Sequence, residues 1–112
     1  RLVASAVRRD VQDLLEQLRF HEDYEEGDGL VVELLFLGKK ANDPVIVDVA
    51  LKTGAAISII GGSINHIQKE PLGILVVKIE GDRATIGKAL EELKGRVLRT
   101  TVFGYNGKRE EG

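Results

Sequence analysis

Residues 54–73 read GAAISIIGGSINHIQKEPLG. A hydrophobic run, a double glycine and a polar cluster follow one another here in what the alternation marks as one strand. Ala55, Ile57 and Ile59 fall on one face of an extended chain and Ala56, Ser58 and Ile60 on the other, a pattern of period two that a helix would scatter. Gly61-Gly62 then interrupts the run. Two residues without a Cβ weaken a strand unless the backbone bulges or something comes close to it, and such a place leaves main-chain N–H and C=O groups for a guest. A ligand site is expected here, and a plain edge-strand bulge without a ligand is the competing reading.

Working outward, residues 44–53 form a helix ahead of this strand. Asn42-Asp43-Pro44 reads as its start, with Asp43 accepting from an orphan N–H and Pro44 at the first helical position, where a donor would be wasted. Val45, Ile46, Val49 and Ala50 point inward and Gly54 ends the helix in the left-handed conformation. Residues 30–37, LVVELLFL, are a strand with both faces mostly apolar, Glu33 being the single charge. A strand of that kind is covered on both sides. After the central stretch, Lys69-Glu70-Pro71 reads as a hairpin turn and residues 73–79, GILVVKI, as a second strand of the same kind. Gly81-Asp82 opens a helix with the stripe Ile86, Ala89, Leu90 and Leu93, and Gly95 closes it. Residues 97–103 form a last, half-exposed strand, and GYNGKREEG trails off as a polar tail.

Strand, helix, strand, strand, helix, strand is the split βαβ order of a ferredoxin-like α+β sandwich, a four-stranded antiparallel sheet with two helices on one face. Its first and third strands are central, as their apolar faces demand. Residues 2–20 add an N-terminal amphipathic helix, with Val3, Val7, Val11, Leu14, Leu15 and Leu18 on one side. The open face of the sheet needs a cover, and either that helix or a second copy of the chain supplies it. Residues 21–29, HEDYEEGDG, read as an acidic linker, a solvated loop in preference to a metal site. The expected organisation is thus 1–29 helix and linker, 30–105 folded domain, 106–112 tail.

Composition excludes several functions. Sixteen Lys and Arg against eighteen Asp and Glu give a net charge of −2, so nothing draws the chain to nucleic acid or to an anionic membrane. With no Cys there is no disulfide, thiol nucleophile or thiolate metal site. His21 and His66 have no metal-ligand spacing. No apolar run approaches the roughly 20 residues that span a bilayer, and no signal peptide is visible. The chain starts on Arg1 and contains no Met, so it reads as a piece of a longer protein. The stretch Gly81 to Lys88 resembles a phosphate loop but has five residues between its glycines and Ala89 after the lysine, so Gly87 reads as a helix-packing glycine. RNA binding would need exposed aromatics on the central strands, and only Phe36 is there. A catalytic set from Ser58 or Ser63 with His66 lacks a nucleophile elbow.

Taken together, Leu34-x-Phe36-x-Gly38, Asp43-Pro44, Ile59-Ile60-Gly61, Ile64 with Ile67-Gln68, Pro71-Leu72-Gly73, Gly81 and Phe103-Gly104-Tyr105 resemble the NIL domain, the C-terminal regulatory domain of methionine-importer ABC ATPases. The resemblance covers roughly two-thirds of the chain, residues 30 to about 105. It implies a non-enzymatic, ACT-like domain that binds L-methionine, often as a dimer across the two sheets, and restrains transport when the cytoplasmic pool is high. The implied partners are the ATPase and membrane-permease subunits at the cytoplasmic face of the membrane. ATP and Mg would belong to the nucleotide-binding domain, which is absent here, so the chain has no cofactor of its own. The ligand region carried over by position is Ser58, Ile60, Gly61, Gly62 and Ile64, with Asn42, Asp43, Pro44 and Val45 opposite. Aliphatic groups of Ile60 and Ile64 would sleeve the thioether, main-chain N–H groups near Gly61-Gly62 would meet the carboxylate, and a carbonyl or Ser58 would meet the ammonium. On this reading Gly62→Val obstructs the ligand and Ser58→Ala removes at most one hydrogen bond. A structural dimerisation or docking module without a small ligand is the alternative, and a small enzyme of this fold is a third.

Overall fold

The computed structural model describes residues 15–37, 44–67 and 70–107, with the side chains of Leu37 and of 63–71 left aside. Strand β1 (Gly29–Leu37) leads into helix α1 (Val45–Thr53), strand β2 (Ala56–Ile67), strand β3 (Glu70–Glu80), helix α2 (Arg83–Lys94) and strand β4 (Arg99–Asn106). The strands form one sheet in the order β2-β3-β1-β4, and all three pairings are antiparallel. This is the expected ferredoxin-like topology, with the two doubly apolar strands β1 and β3 in the middle.

The helices cover one face. Leu30, Val32 and Leu34 of β1 and Val77 and Ile79 of β3 meet Val49 of α1 and Ile86, Ala89 and Leu93 of α2 in one buried cluster. Each large side chain fully buried there contributes about 1.5–3 kcal/mol relative to exposure. Across the helices, Arg96 Nη1 lies 3.1 Å from Asp48 and Lys52 Nζ 3.3 Å from Glu92. Both pairs are exposed and contribute little to stability. A second cluster, Val31, Ile74 and Val76, occupies the other face under Leu15, Leu18, Phe20, Leu35, Ile60 and Phe103. The segment before β1 therefore supplies part of the expected cover from within the same chain. Residues 1–14 of the expected N-terminal helix lie outside the described residues.

Several local expectations shift for physical reasons. Pro44 is the N-cap of α1 rather than its first residue: its carbonyl accepts the first helical bond, from Asp48 N at 2.8 Å. Asp43, the expected cap, lies outside the described residues. Gly54 ends α1 at φ 82°, left-handed as expected, whereas Gly95 closes α2 at φ −81°, in the right-handed region. Glu70 and Pro71, expected in the hairpin turn, are instead inside the ladder, where Glu70 pairs with Ile67 and Pro71 with His66. Pro71 is tolerated in a central strand because β1 reaches only as far as Leu72 on that side. The last strand starts two residues late and runs on to Asn106, which is fully buried. Residues 21–28, expected as solvated loop, are exposed at Glu22, Asp23, Glu25, Glu26 and Gly27 but tied to the sheet at both ends: His21 and Tyr105 exchange main-chain bonds of 3.0 and 2.9 Å, and Asp28 is buried.

Helix α2 gives two predictions. Gly87 is exposed in its interior, and a Cβ built there meets nothing within 4 Å, so it is not the packing glycine expected. Gly87→Ala should raise stability by about 1 kcal/mol, through the backbone entropy that glycine loses in a helix, as read from urea melts. At the other end, the Asp82 carboxylate accepts from Thr85 N at 2.8 Å. That bond holds its carboxyl below the ordinary value of 3.8. A folded-state value lowered in this way gives stability that is present above 3.8 and lost as pH falls through the folded value. Asp82→Asn should be less stable than the parent at neutral pH, and the gap should narrow in acid. A gap that stays constant with pH would show that the ionised cap contributes nothing.

Candidate functional site

The stretch nominated by the sequence is the edge strand β2, and its irregularity is one residue from where the glycines placed it. Ile59 stands opposite Val77 and Gly61 opposite Val76, so Ile60 is the extra residue of a β-bulge. The reason lies in Gly62. A Cβ there would sit 2.6 Å from the carbonyl oxygen of Ile74 and 2.9 Å from Cδ1 of Leu75, so Gly62 is held against β3 and the strand bulges ahead of it. Ile60 uses the slack to pack on the Val31, Ile74 and Val76 cluster.

Faces are as the alternation predicts up to that point. Ile57 packs with the helix-side core, Ile59 is on the same face at 59% exposure, and Ser58 is exposed across from Lys78 on the open face. Ile64 pairs with Gly73. Of the residues expected opposite, Asn42 and Asp43 are outside the described residues, Pro44 is exposed and Val45 packs against the helix-side cluster. Within one copy, Ser58, Ile60 and Gly61 therefore stand together on β2, while Val45 belongs to the other face of the sheet. Among the described residues no strand pairs with the outer edge of β2, so its main-chain groups there face outward.

The open face also holds a polar tie that the sequence reading missed. Lys78, 4% exposed, donates from Nζ to Asn106 Oδ1 at 3.0 Å, and Asn106 Nδ2 donates to the Arg19 carbonyl at 2.8 Å. The lysine stem crosses β1 over Gly29, where a Cβ would lie 2.6 Å from both Cγ and Cε. One side chain thus links β3, across β1, to β4 and to the segment that covers the sheet. The available signal was a lysine inside the apolar run of residues 73–79.

Next to this tie, at the end of the sheet marked by Gly29, Glu80 and Asn106, an open groove of about 1090 Å³ is walled by His21, Tyr24, Glu25, Glu26, Gly27, Asp28, Glu80, Gly81, Asp82 and Gly107. His21 Nδ1 lies 2.9 Å from the Asp23 carbonyl and Nε2 lies 3.4 Å from Asp28. Tyr24 donates its hydroxyl to the Gly81 carbonyl at 3.0 Å. Five carboxylates make the groove hostile to anions such as nucleotide phosphates. Among the described residues no three His, Asp or Glu side chains are placed to hold a metal ion. Gly87 and Lys88 lie within α2, so the phosphate-loop-like stretch is helix rather than a cradle.

Comparison with known proteins adds to this geometry. The family profile described as NIL domain matches residues 30–102, from β1 into β4. The methionine import ATP-binding protein MetN of Rhizobium meliloti (strain 1021) is 40% identical over 79 residues, covering 70% of this chain and 22% of that protein. The protein of the same name from Salmonella enteritidis is 34% identical over 92 residues, covering 80% of this chain and 28% of that one. The chain thus spans about a quarter of the length of these relatives. Among solved structures, the C-terminal domain of an ABC transporter ATP-binding protein from Enterococcus faecalis aligns with a TM-score of 0.59 and 32% identity, over 84% of this chain and 96% of that one.

Proposed function

Because this chain belongs to the NIL domain family, we propose that it is the C-terminal regulatory domain of a methionine-importer ATPase, non-enzymatic itself, which binds L-methionine and restrains transport when the cytoplasmic pool is high. The observation that carries the proposal is where the likeness falls: it is confined to about a quarter of proteins named for methionine import and matches nearly the whole of a separately solved C-terminal domain. Its partners on this reading are the ATPase and permease subunits at the inner face of the membrane and a second copy of the chain. Among the described residues no helix is long and apolar enough to cross a membrane, which suits a domain carried by such subunits.

The ligand site of the proposal is β2 around Ser58, Ile60, Gly61, Gly62 and Ile64. A free amino acid needs N–H donors for its carboxylate, an acceptor for its ammonium and an apolar sleeve. The outward main chain of the bulged edge, the exposed Ser58 hydroxyl and the Ile60 side chain are of those three kinds. Isothermal titration calorimetry with L-methionine, D-methionine, L-leucine and ATP tests it. Saturable heat with L-methionine and none with ATP is expected. Ser58→Ala should weaken methionine by up to about tenfold, one hydrogen bond's worth. Absence of heat with every amino acid would leave the docking-module reading in its place, and saturable ATP binding would remove both.

A further inference from the structure

Asn106 is the only one of the chain's three asparagines followed by glycine: Asn42 precedes Asp43 and Asn65 precedes His66. An asparagine before glycine is prone to attack on its own carboxamide, because a following residue without a Cβ lets its main-chain nitrogen approach closely. Strand β4 ends at Asn106, and Gly107 follows the ladder, half-buried in the wall of the acidic groove. The reactive pair thus stands where regular sheet gives way to irregular chain. Three restraints keep the carboxamide from that nitrogen. Asn106 pairs with Gly29 in the ladder, and closing a ring requires the main chain to turn about the Asn106 Cα–C bond out of its extended form. Its Oδ1 accepts from Lys78 Nζ at 3.0 Å and its Nδ2 donates to the Arg19 carbonyl at 2.8 Å. The side chain is also fully buried.

We propose that Asn106-Gly107 is a self-modification site which the tie from Lys78 through Asn106 to Arg19 keeps silent, and that its reaction, once the tie opens, releases residues 15–28 from the sheet. The Gly107 main-chain nitrogen attacks Cγ of Asn106 and gives up its proton. The N–Cγ bond forms, the Cγ–Nδ2 bond breaks, and ammonia departs with that proton. Water then opens the cyclic imide at either carbonyl and leaves aspartate or isoaspartate. Only water is consumed, and nothing is oxidised or reduced. Aspartate keeps an ionic partner for Lys78 but has lost the N–H that reached the Arg19 carbonyl, so two acceptors face each other where a donor met an acceptor. Isoaspartate routes the main chain through the side-chain carbon and so lengthens β4 at its pairing with Gly29. Either product unfastens the segment whose Leu15, Leu18 and Phe20 cover Val31, Ile74 and Val76. The chemistry is independent of any ligand at β2.

Peptide mass spectrometry of the 112-residue chain, incubated in mildly alkaline buffer with and without urea, is the test. In urea Asn106 should turn to acid much faster than Asn42 and Asn65, and Gly107→Val should slow it sharply. In the folded parent the rate at Asn106 should be at least about tenfold lower than in urea, since the buried tie must open first. Lys78→Met, with native circular dichroism, should react at least about threefold faster than the folded parent, because one of the two side-chain restraints is gone. Asn106→Asp, folded by the same criterion, should show faster hydrogen exchange at residues 15–28. An Asn106 that reacts as fast folded as in urea would overturn the lock, as would a folded Lys78→Met no faster than the parent. Unaltered exchange at residues 15–28 in Asn106→Asp would overturn the release.

Discussion

Asn106→Ala is expected to cost about 3 kcal/mol of stability, because it strips a buried ammonium of an acceptor and a main-chain carbonyl of a donor in one step. Asn106 is fully buried and bonds Lys78 at 3.0 Å and the Arg19 carbonyl at 2.8 Å. Urea melts give the loss. Hydrogen exchange should localise it, with faster exchange at residues 15–28, which this tie helps to hold against the sheet. Converting both partners should hurt less than converting one. In the double variant Lys78→Met with Asn106→Leu no ammonium is left in the sheet, so part of the stability should return. A single variant as stable as the parent would show that water replaces Asn106 at no cost.

Gly62→Ala is expected to cost about 2–3 kcal/mol and Gly62→Val more, since the added Cβ meets the Ile74 carbonyl oxygen at 2.6 Å and that oxygen is part of the β2–β3 backbone. A flexible side chain could swing aside. A ladder carbonyl cannot without loosening the hairpin. Urea melts of the two variants against the parent check the order, and a Gly62→Ala as stable as the parent would show that β2 can shift outward freely. The result bears directly on the ligand. A loss of methionine affinity in Gly62→Val would follow from damage to the strand as readily as from an obstructed site. Ser58→Ala and Ile60→Ala are the cleaner probes, one exposed and one on the surface of the open-face cluster.

The order of elements and the identity of the central strands were legible because each rests on short-range pattern: the apolar runs on both faces of β1 and β3, the stripe Ile86, Ala89 and Leu93, and Gly54 behind α1. What escaped depends on neighbours distant in sequence. The bulge sits at Ile60 because of Ile74, and Asn106 is buried because of Lys78 and Arg19, 28 and 87 residues away. In composition Asn106 belongs to a polar tail. Gly87 misled in the opposite sense, since a glycine in an apolar stripe suggests a close neighbour and none is there. The candidate site was legible as a strand but not as a set, because α1 places Val45 on the helix face while the bulged half of β2 presents Ile60 to the other.

The Ile60 bulge also bears on how the chain tolerates changes of length. Removing one residue from a strand ordinarily turns every later side chain to the wrong face. Here Ile60 is the residue with no counterpart on β3, while Ile59 and Gly61 already face the consecutive residues Val77 and Val76. Excising it would join two halves that are already in step, so every other β2–β3 pair and every side-chain direction would survive, and only the kink and one aliphatic contact on the open face would go. At this position the hairpin can differ by one residue without a change of pattern.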